Sequence, residues 1–272
     1  MIIDLRKGFG DFEDYKLFKF PDNSIKFELK YDLEDNYKEV IIRTTLRSME
    51  DLFTLAMVKD VINRYSEGTI ALSIFYMIQQ QDDRLFADNE SFGLRVVTDF
   101  INSLDFDVIE VFHPHSEVTN ALLRNSIDYT NTSFIKWVLD QFKEPPVWVI
   151  PDSGAFKTQF KQIEKLGHKE FITCMKSRDH ETGEITTVVN SEALYGKTCI
   201  IFDDLALAGG TFLGIAKELH AKGCRNMHLA VSHGVFNNGV AHLISTFNTI
   251  YTTDSICTQP ESDRLKIFKL WK

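Results

Sequence analysis

Short apolar runs alternate along the chain with segments in which apolar residues recur at helical spacing. "EVIIRTT" (39–45) precedes a helix-period stretch built on Leu52, Leu55, Val58, Val61 and Ile62. "TIALSIFYM" precedes another such stretch, and "DVIEVF" follows it. "PVWVIPDSGAFKTQFKQIEKLG" repeats the strand–loop–helix order, and "FITCMK", "TCIIF" and "MHLAVSH" predict three more buried strands. This alternation is typical of α/β proteins with mainly parallel sheets.

The pattern falls into two halves separated by a polar segment around 126–132, which predicts two domains, residues 1–125 and 126–272. A chain of 272 residues is long enough for two cores of ordinary size. The polar stretch "SRDHETGEITT" between two predicted strands indicates a hairpin or flap. The tail "SDRLKIFKLWK" is free to pack on either half, including back on the first.

Composition limits the kinds of partner. Apolar content of 44% and charged content of 25% are typical of a soluble globular protein. A net charge of −9 argues against coating nucleic acid or an anionic membrane, but leaves room for small phosphorylated ligands. The N-terminus shows no secretory signal, and no apolar run is long enough to span a bilayer. The four cysteines include no CxxC pair, which favours reduced thiols in a cytoplasmic protein.

The candidate chemistry lies in "CIIFDDLALAGGTFLGIAKEL" (199–219), where a buried strand is expected to end in Asp203 and Asp204. Ligands of open α/β sheets bind beyond such strand ends. Gly209 and Gly210 precede a helix, whose first amides and dipole favour an anion. The carboxylates suit hydroxyl donors or hydrated cations. A ribose phosphate therefore fits both features, with its hydroxyls at the carboxylates and its phosphate at the start of the helix. A solvated acidic turn before an ordinary helix remains the alternative, while a Walker A loop is excluded because no GK[ST] follows.

"CIIFDDLALAGGT" resembles the phosphoribosyl-pyrophosphate motif of type I phosphoribosyltransferases and of ribose-phosphate pyrophosphokinases. The motif alone does not separate these families. Similarity to the pyrophosphokinases, however, extends through nearly the whole chain. The matching segments, in shared order, are "KFPDNSIKFEL", "YMIQQQDDR", "VFHPHSE", "IPDSGA", "MKSRD" and "AVSHGVF". The resemblance implies two tandem phosphoribosyltransferase-like domains, with ATP on the N-terminal side and the ribose phosphate on the C-terminal side.

The resemblance also implies a reaction, in which the β,γ-diphosphoryl group of ATP moves to the anomeric hydroxyl of a ribose 5-phosphate moiety and AMP is released. Lys176 and Arg178 would be the catalytic pair. The two aspartates would hold the ribose hydroxyls. The residues implied for the 5-phosphate are Leu207, Ala208, Gly209, Gly210 and Thr211.

For ATP, the implied residues are Phe20, Asp22, Gln81, Asp83, Arg84 and His115. Mg²⁺ would sit near His115 and Asp152. In the family, the Phe20 segment serves a neighbouring subunit, which implies a homo-oligomer. From the residues alone, Phe20 fits a core position equally well, His115 fits a structural role at a strand end, and Lys176 and Arg178 fit solvated surface charges.

Two of the departures from the family pattern bear directly on the ligands. Gln81 and Asp82 replace an Arg and a Gln of the nucleotide motif, which weakens the expectation for ATP contacts. Leu207 and Ala208 replace the Asp and Thr that usually begin the phosphate loop, so a hydroxyl donor is lost and the rim becomes apolar. The altered loop fits a 5′-extended ribose at least as well as ribose 5-phosphate. Resemblance to a compact, phage-type branch of these kinases, which makes the 1-pyrophosphate of ADP-ribose for NAD synthesis, implies ADP-ribose as the slightly favoured acceptor. An ordinary phosphoribosyl-pyrophosphate synthetase, a type I phosphoribosyltransferase and an inactive homologue remain open.

Overall fold

The chain folds into two compact units, Met1–Thr130 and Asn131–Lys272. The computed structural model describes residues 1–30, 37–178 and 185–271, with the backbone alone at 176–178 and 185–187. Within this described part, no helix combines the length and the apolar character needed to cross a membrane. The four cysteines are free thiols.

The first unit is built on a five-stranded parallel sheet with strand order β1-β5-β6-β7-β8. A separate antiparallel sheet has the order β2-β3-β4. The elements in chain order are β1 (Ile2–Asp4), β2 (Gly10–Asp11), β3 (Tyr15–Lys19), β4 (Ile25–Leu29), β5 (Glu39–Leu46), α1 (Met49–Tyr65), β6 (Thr69–Met77), α2 (Gly93–Ser103), β7 (Val108–Phe112), α3 (Glu117–Leu122) and β8 (Ser126–Tyr129).

One face of the five-stranded sheet carries the core of the first unit. Alternate residues of a strand point to opposite faces, so Ile42 and Leu72 pack in the same apolar cluster as Leu55 of α1. The intervening positions carry both polar and apolar side chains, and among the polar ones Ser73 Oγ donates a hydrogen bond of 2.9 Å to Glu110. The sheet is therefore apolar on one face and mixed on the other.

The second unit contains a seven-stranded sheet with the order β11-β10-β9-β12-β13-β14-β15, parallel except for β11. Apolar clusters cover both faces of this sheet. The elements are α4 (Thr132–Leu139), β9 (Val147–Ile150), α5 (Ser153–Leu166), β10 (Phe171–Arg178), β11 (Ile185–Asn190), β12 (Thr198–Ala206), α6 (Gly210–Ala221), β13 (Asn226–Gly234), α7 (Ala241–Ile244), β14 (Thr249–Thr253) and β15 (Leu265–Phe268).

The order of the second sheet reverses between β9 and β12. From β9 the chain passes through α5 to β10 on one side, and from β12 it passes through α6 to β13 on the other. Such a topological switch point opens a crevice at the carboxyl ends of the two strands. The N-termini of α5 and α6 therefore lie at the place where ligands of α/β sheets bind.

The α/β class with mainly parallel sheets is confirmed, and the hairpin expected after "FITCMK" is the antiparallel pair β10–β11. The structure adds detail at two places that the sequence left open. The polar segment at 126–132 contains β8, whose Tyr129 packs on Phe112 with ring centroids 5.4 Å apart. The tail adds β15 to the second sheet and not to the first unit, because buried Leu265 pairs with buried Ile250 of β14.

Candidate active site

The acidic pair lies within β12 and not at its end, which corrects the sequence-based expectation. Pairing with β13 continues past the pair to Leu205↔His233 and Ala206↔Gly234, so the strand is longer than its apolar run. The Asp203 and Asp204 carboxyl groups lie close together, because a hydrogen bond between the two side chains contributes to the raised pKa of Asp203. The Asp204 amide also donates to Asp203 Oδ1 at 3.0 Å.

The ionised form of the Asp203 carboxyl group is electrostatically unfavourable in the folded chain. Burial raises its pKa well above the usual range, and the neighbouring negative charge of Asp204 raises it further. Asp152 contributes in the same direction. These carboxylates would be stabilised by hydroxyl donors or by a cation, which are the partners that a ribose or a hydrated metal ion supplies.

Asp152 follows β9 and begins α5, where its Oδ1 accepts a hydrogen bond of 2.9 Å from the Ala155 amide. It thus acts as an N-terminal cap and also belongs to the electrostatic surroundings of Asp203. Among the residues that the structure describes, no three His, Cys, Asp or Glu side chains form a metal-binding group. Mg²⁺ commonly takes only one or two protein carboxylates together with substrate phosphates, and Asp152 beside Asp203 fits that requirement.

The phosphate loop predicted from the sequence, residues 207–211, leads directly into α6, which begins at Gly210. Gly209 has φ of 83°, a conformation that favours glycine, and a Cβ atom there would lie 2.7 Å from the Leu243 side chain, which would have to shift. The N-terminus of α6 directly follows this loop, and the dipole and backbone N–H groups of a helix N-terminus favour an anion there. Leu207 and Ala208 are exposed, which gives the loop the apolar rim expected from the sequence.

Lys176 and Arg178 lie in β10, where they pair with Thr187 and Ile185 of β11. The structure therefore places both residues on the predicted hairpin, while their side chains and residues 179–184 lie outside the described part of the chain. Their catalytic role stays a prediction.

The nucleotide motif of the first unit (residues 76–84) meets the "VFHPHSE" segment at the carboxyl ends of β6 and β7. Buried Gln80 accepts a hydrogen bond of 3.1 Å from the His115 amide. Buried Asp83 binds the Arg84 guanidinium through two hydrogen bonds of 2.8 and 3.2 Å, which lower the pKa of Asp83. His115 and Gln81 are exposed. The tertiary fold thus brings two of the predicted ATP segments together.

Asp82, a departure from the family pattern, has a structural partner. Its Oδ2 accepts a hydrogen bond of 2.6 Å from the amide of Gly93, the first residue of α2. A carboxylate at a helix N-terminus stabilises the unpaired amides and the dipole there. This substitution therefore contributes to helix initiation, a role that the sequence reading did not foresee.

Phe20 and Asp22 lie at the turn between β3 and β4. Asp22 Oδ1 accepts hydrogen bonds from the Ser24 amide at 3.0 Å and from Ser24 Oγ at 2.6 Å. The Phe20 ring contacts Phe18 but remains 44% exposed, so the alternative that it is a core residue is wrong. The turn presents an aromatic ring and a carboxylate on the surface, and their role in binding adenine stays a prediction.

The sequence reading missed two histidines near the acidic strand. Buried His233 pairs in register with Leu205, and its Nδ1 lies 2.9 Å from Ser255 Oγ. The Nε2 atom of His242 lies 2.8 Å from the carbonyl oxygen of Ala208, inside the phosphate loop. The "AVSHGVF" match pointed to the first of them, whereas no local pattern marked His242.

No protein-family model matches the chain. Curated relatives named ribose-phosphate pyrophosphokinase align over most of it. The Vibrio cholerae protein is 24% identical over 256 residues, covering 91% of this chain and 80% of the relative. The Sulfurisphaera tokodaii protein is 24% identical over 245 residues, covering 85% and 82%.

The fold is similar to that of the crystal structure of phosphoribosylpyrophosphate synthetase from Mycobacterium smegmatis. The TM-score is 0.83 at 16% identity, and the match covers 99% of this chain and 94% of the other. The curated relatives and the fold agree along nearly the full length: the chain is similar in sequence to ribose-phosphate pyrophosphokinases and similar in fold to a phosphoribosylpyrophosphate synthetase.

Proposed function

We propose that the chain transfers the β,γ-diphosphoryl group of ATP to the anomeric hydroxyl of a ribose 5-phosphate moiety. The hydroxyl oxygen attacks the β-phosphorus, the bond from that phosphorus to the oxygen bridging to the α-phosphate breaks, and AMP leaves while the hydroxyl proton is released. The observation that carries this proposal is the acidic pair of β12 beside the amide-rich start of α6 at a topological switch point. The homologues' names support the same reaction class.

The proposed roles follow the chemistry of each group. Asp203 and Asp204 accept hydrogen bonds from the ribose hydroxyls, and loop 207–211 binds the 5-phosphate through backbone amides. Lys176 and Arg178 neutralise charge that builds on the transferred group in the transition state. Positioning and electrostatics of this kind account for most of the catalysis in phosphoryl transfer.

ATP binding is proposed for the first unit. Arg84 and His115 face the nucleotide, and Phe20 with Asp22 contact the adenine of a neighbouring copy in a homo-oligomer. Mg²⁺ would neutralise phosphate charge when bound, and Asp152 and His115 are its candidate protein ligands. Light scattering of the wild-type protein and of a Phe20→Ala variant, together with the KM for ATP, tests the oligomer and the shared adenine site.

We propose ADP-ribose as the preferred acceptor, with ribose 5-phosphate as the alternative. The apolar, exposed rim at Leu207 and Ala208 supports this choice. A lost hydrogen bond to a charged group costs about 1.5 to 3 kcal/mol, and ribose 5-phosphate has nothing beyond its phosphate to offset that loss. The second phosphate and the adenosine of ADP-ribose offer further contacts.

The test is AMP formation from ATP with each acceptor added singly. We expect a higher kcat/KM for ADP-ribose, and we expect the double variant Leu207→Asp/Ala208→Thr to shift the ratio toward ribose 5-phosphate. A strong wild-type preference for ribose 5-phosphate would identify an ordinary phosphoribosyl-pyrophosphate synthetase. If ATP yields no AMP with either acceptor, a phosphoribosyltransferase assay with free bases distinguishes that class from an inactive homologue.

A further inference from the structure

Residues 235–243, here named the clasp segment, hold successive carbonyl groups at the end of β12 and in the phosphate loop. The Ala206 oxygen accepts two of the hydrogen bonds, and the Leu207 and Ala208 oxygens accept one each. The four donors are the amides of Val235 (3.0 Å), Phe236 (3.1 Å) and Asn237 (3.0 Å) and the ring of His242 (2.8 Å).

These bonds favour one backbone conformation of the loop. When the carbonyl groups of consecutive residues are drawn toward one side, the amide N–H groups between them turn toward the other and form an anion-binding concavity. The next carbonyl, that of Gly209, accepts from the Phe212 and Leu213 amides within α6. The clasp segment thus lies behind the loop and leaves its amides facing the ligand side.

His242 differs from the other donors because its contact depends on a side chain. The Ala208 carbonyl can only accept, so Nε2 carries the hydrogen atom in this contact. His242 is half-buried in α7, and its neighbour Leu243 lies where a side chain at residue 209 would otherwise fit. The imidazole therefore holds the peptide group between Ala208 and Gly209 through the Ala208 carbonyl oxygen.

We propose that His242 is a positioning residue for the acceptor phosphate, acting through the Ala208 carbonyl to hold loop 207–211 in its anion-binding conformation. The inference rests on the proposed function, because the anion is the acceptor's 5-phosphate. A residue of this kind contributes to acceptor affinity and not to the charge stabilisation of the transferred diphosphoryl group. Its loss should raise the KM for the acceptor while the kcat and the KM for ATP change little.

Three variants separate hydrogen bonding from packing. His242→Leu removes the donor, and His242→Asn places an amide nitrogen near the shorter Nδ1 position. His242→Gln restores a donor near the Nε2 position. His220→Leu, at an exposed site in the last turn of α6, is the matched control. Melting curves of all four proteins confirm that they are folded.

We expect His242→Leu and His242→Asn to raise the acceptor KM about three- to tenfold, as the loss of one hydrogen bond predicts. His242→Gln should stay within about twofold of wild type, and His220→Leu should not differ from it. Calorimetric titration with ADP-ribose and with ribose 5-phosphate, in the absence of ATP, measures the same effect without turnover.

Equal acceptor affinity in the Leu, Asn and wild-type proteins would overturn the positioning role. An equal loss in all three His242 variants would also overturn it, because only packing would then explain the effect. If the wild-type protein binds neither acceptor, the proposed function itself is wrong. If the wild-type protein binds an acceptor and the His242 variants bind it equally well, only the role of His242 is wrong.

Discussion

The acidic strand of the second unit and the nucleotide motif of the first unit use similar residues in opposite ways. In the first unit, Asp82 and Asp83 have partners within their own unit, the Gly93 amide and the Arg84 guanidinium. In the second unit, Asp203 is buried against the charge of Asp204, and its pKa is raised. The carboxylates of the nucleotide motif are thus compensated within their own unit, whereas ionisation of Asp203 is disfavoured in the folded chain and would be favoured by hydroxyl donors or a cation.

This difference indicates which of the two regions uses its carboxylates to bind a ligand. The two departures from the pyrophosphokinase pattern, Gln81 and Asp82, lie in the region whose carboxylates are paired internally. A half-buried carboxylate whose ionised form is disfavoured costs stability, and a group of that kind is a candidate for a role in binding. Four variants, taken from the largest expected effect to the smallest, test this contrast.

Removing the flap lysine should have the largest effect. Lys176→Ala is expected to reduce kcat by roughly two to four orders of magnitude with little change in ATP binding, because its interaction strengthens mainly in the transition state. Single-turnover AMP formation and equilibrium ATP binding measure the two quantities. Lys161→Ala, at an exposed position of α5, is the control. Turnover near the wild-type value would remove Lys176 from the mechanism.

The acidic pair should control acceptor binding. Asp203→Asn with Asp204→Asn is expected to weaken acceptor affinity by roughly tenfold to more than a hundredfold, since hydrogen bonds to charged groups are worth about 1.5 to 3 kcal/mol. ATP affinity should change less. Calorimetry with each ligand makes the comparison, and unchanged acceptor binding would show that the pair is structural.

Substitution of Asp82 in the nucleotide motif should lower the stability of the fold and leave ATP binding unchanged. Asp82→Ala removes the carboxylate that accepts from the Gly93 amide and is expected to reduce the free energy of unfolding by roughly 1 to 2 kcal/mol. Asp82→Asn keeps an acceptor and should lose less. Denaturant unfolding measures both, while the ATP KM should stay near wild type. A large rise in that KM with unchanged stability would mean that Asp82 contacts the nucleotide.

The smallest expected effect is a gain in stability. Because the pKa of Asp203 is higher in the folded than in the unfolded chain, its ionisation destabilises the fold as pH rises above the unfolded value, near 3.8. Asp203→Asn should therefore raise the melting temperature at pH 7 by a few degrees, and the difference should vanish at the lowest pH where the protein remains folded. A variant that melts lower than wild type at pH 7 would contradict the raised pKa.

The sequence by itself determined the parts of the protein that depend on local patterns. Apolar runs and helical spacing predicted the α/β class, a polar stretch between two predicted strands predicted the β10–β11 hairpin, and the glycine pair predicted the start of α6. These features depend on residues that are close together in the chain, so periodicity and backbone preference are sufficient to reveal them.

Only the tertiary structure decided which distant residues support the site. The Asp82 bond to Gly93 spans a loop, and the His242 bond to Ala208 joins residues on different elements. The continuation of β12 through Asp203 and Asp204 depends on hydrogen bonding to β13, and the position of the tail depends on β14. Such contacts form only when separate elements pack against each other. They join residues that are far apart in the chain, so they leave no periodic pattern in the sequence.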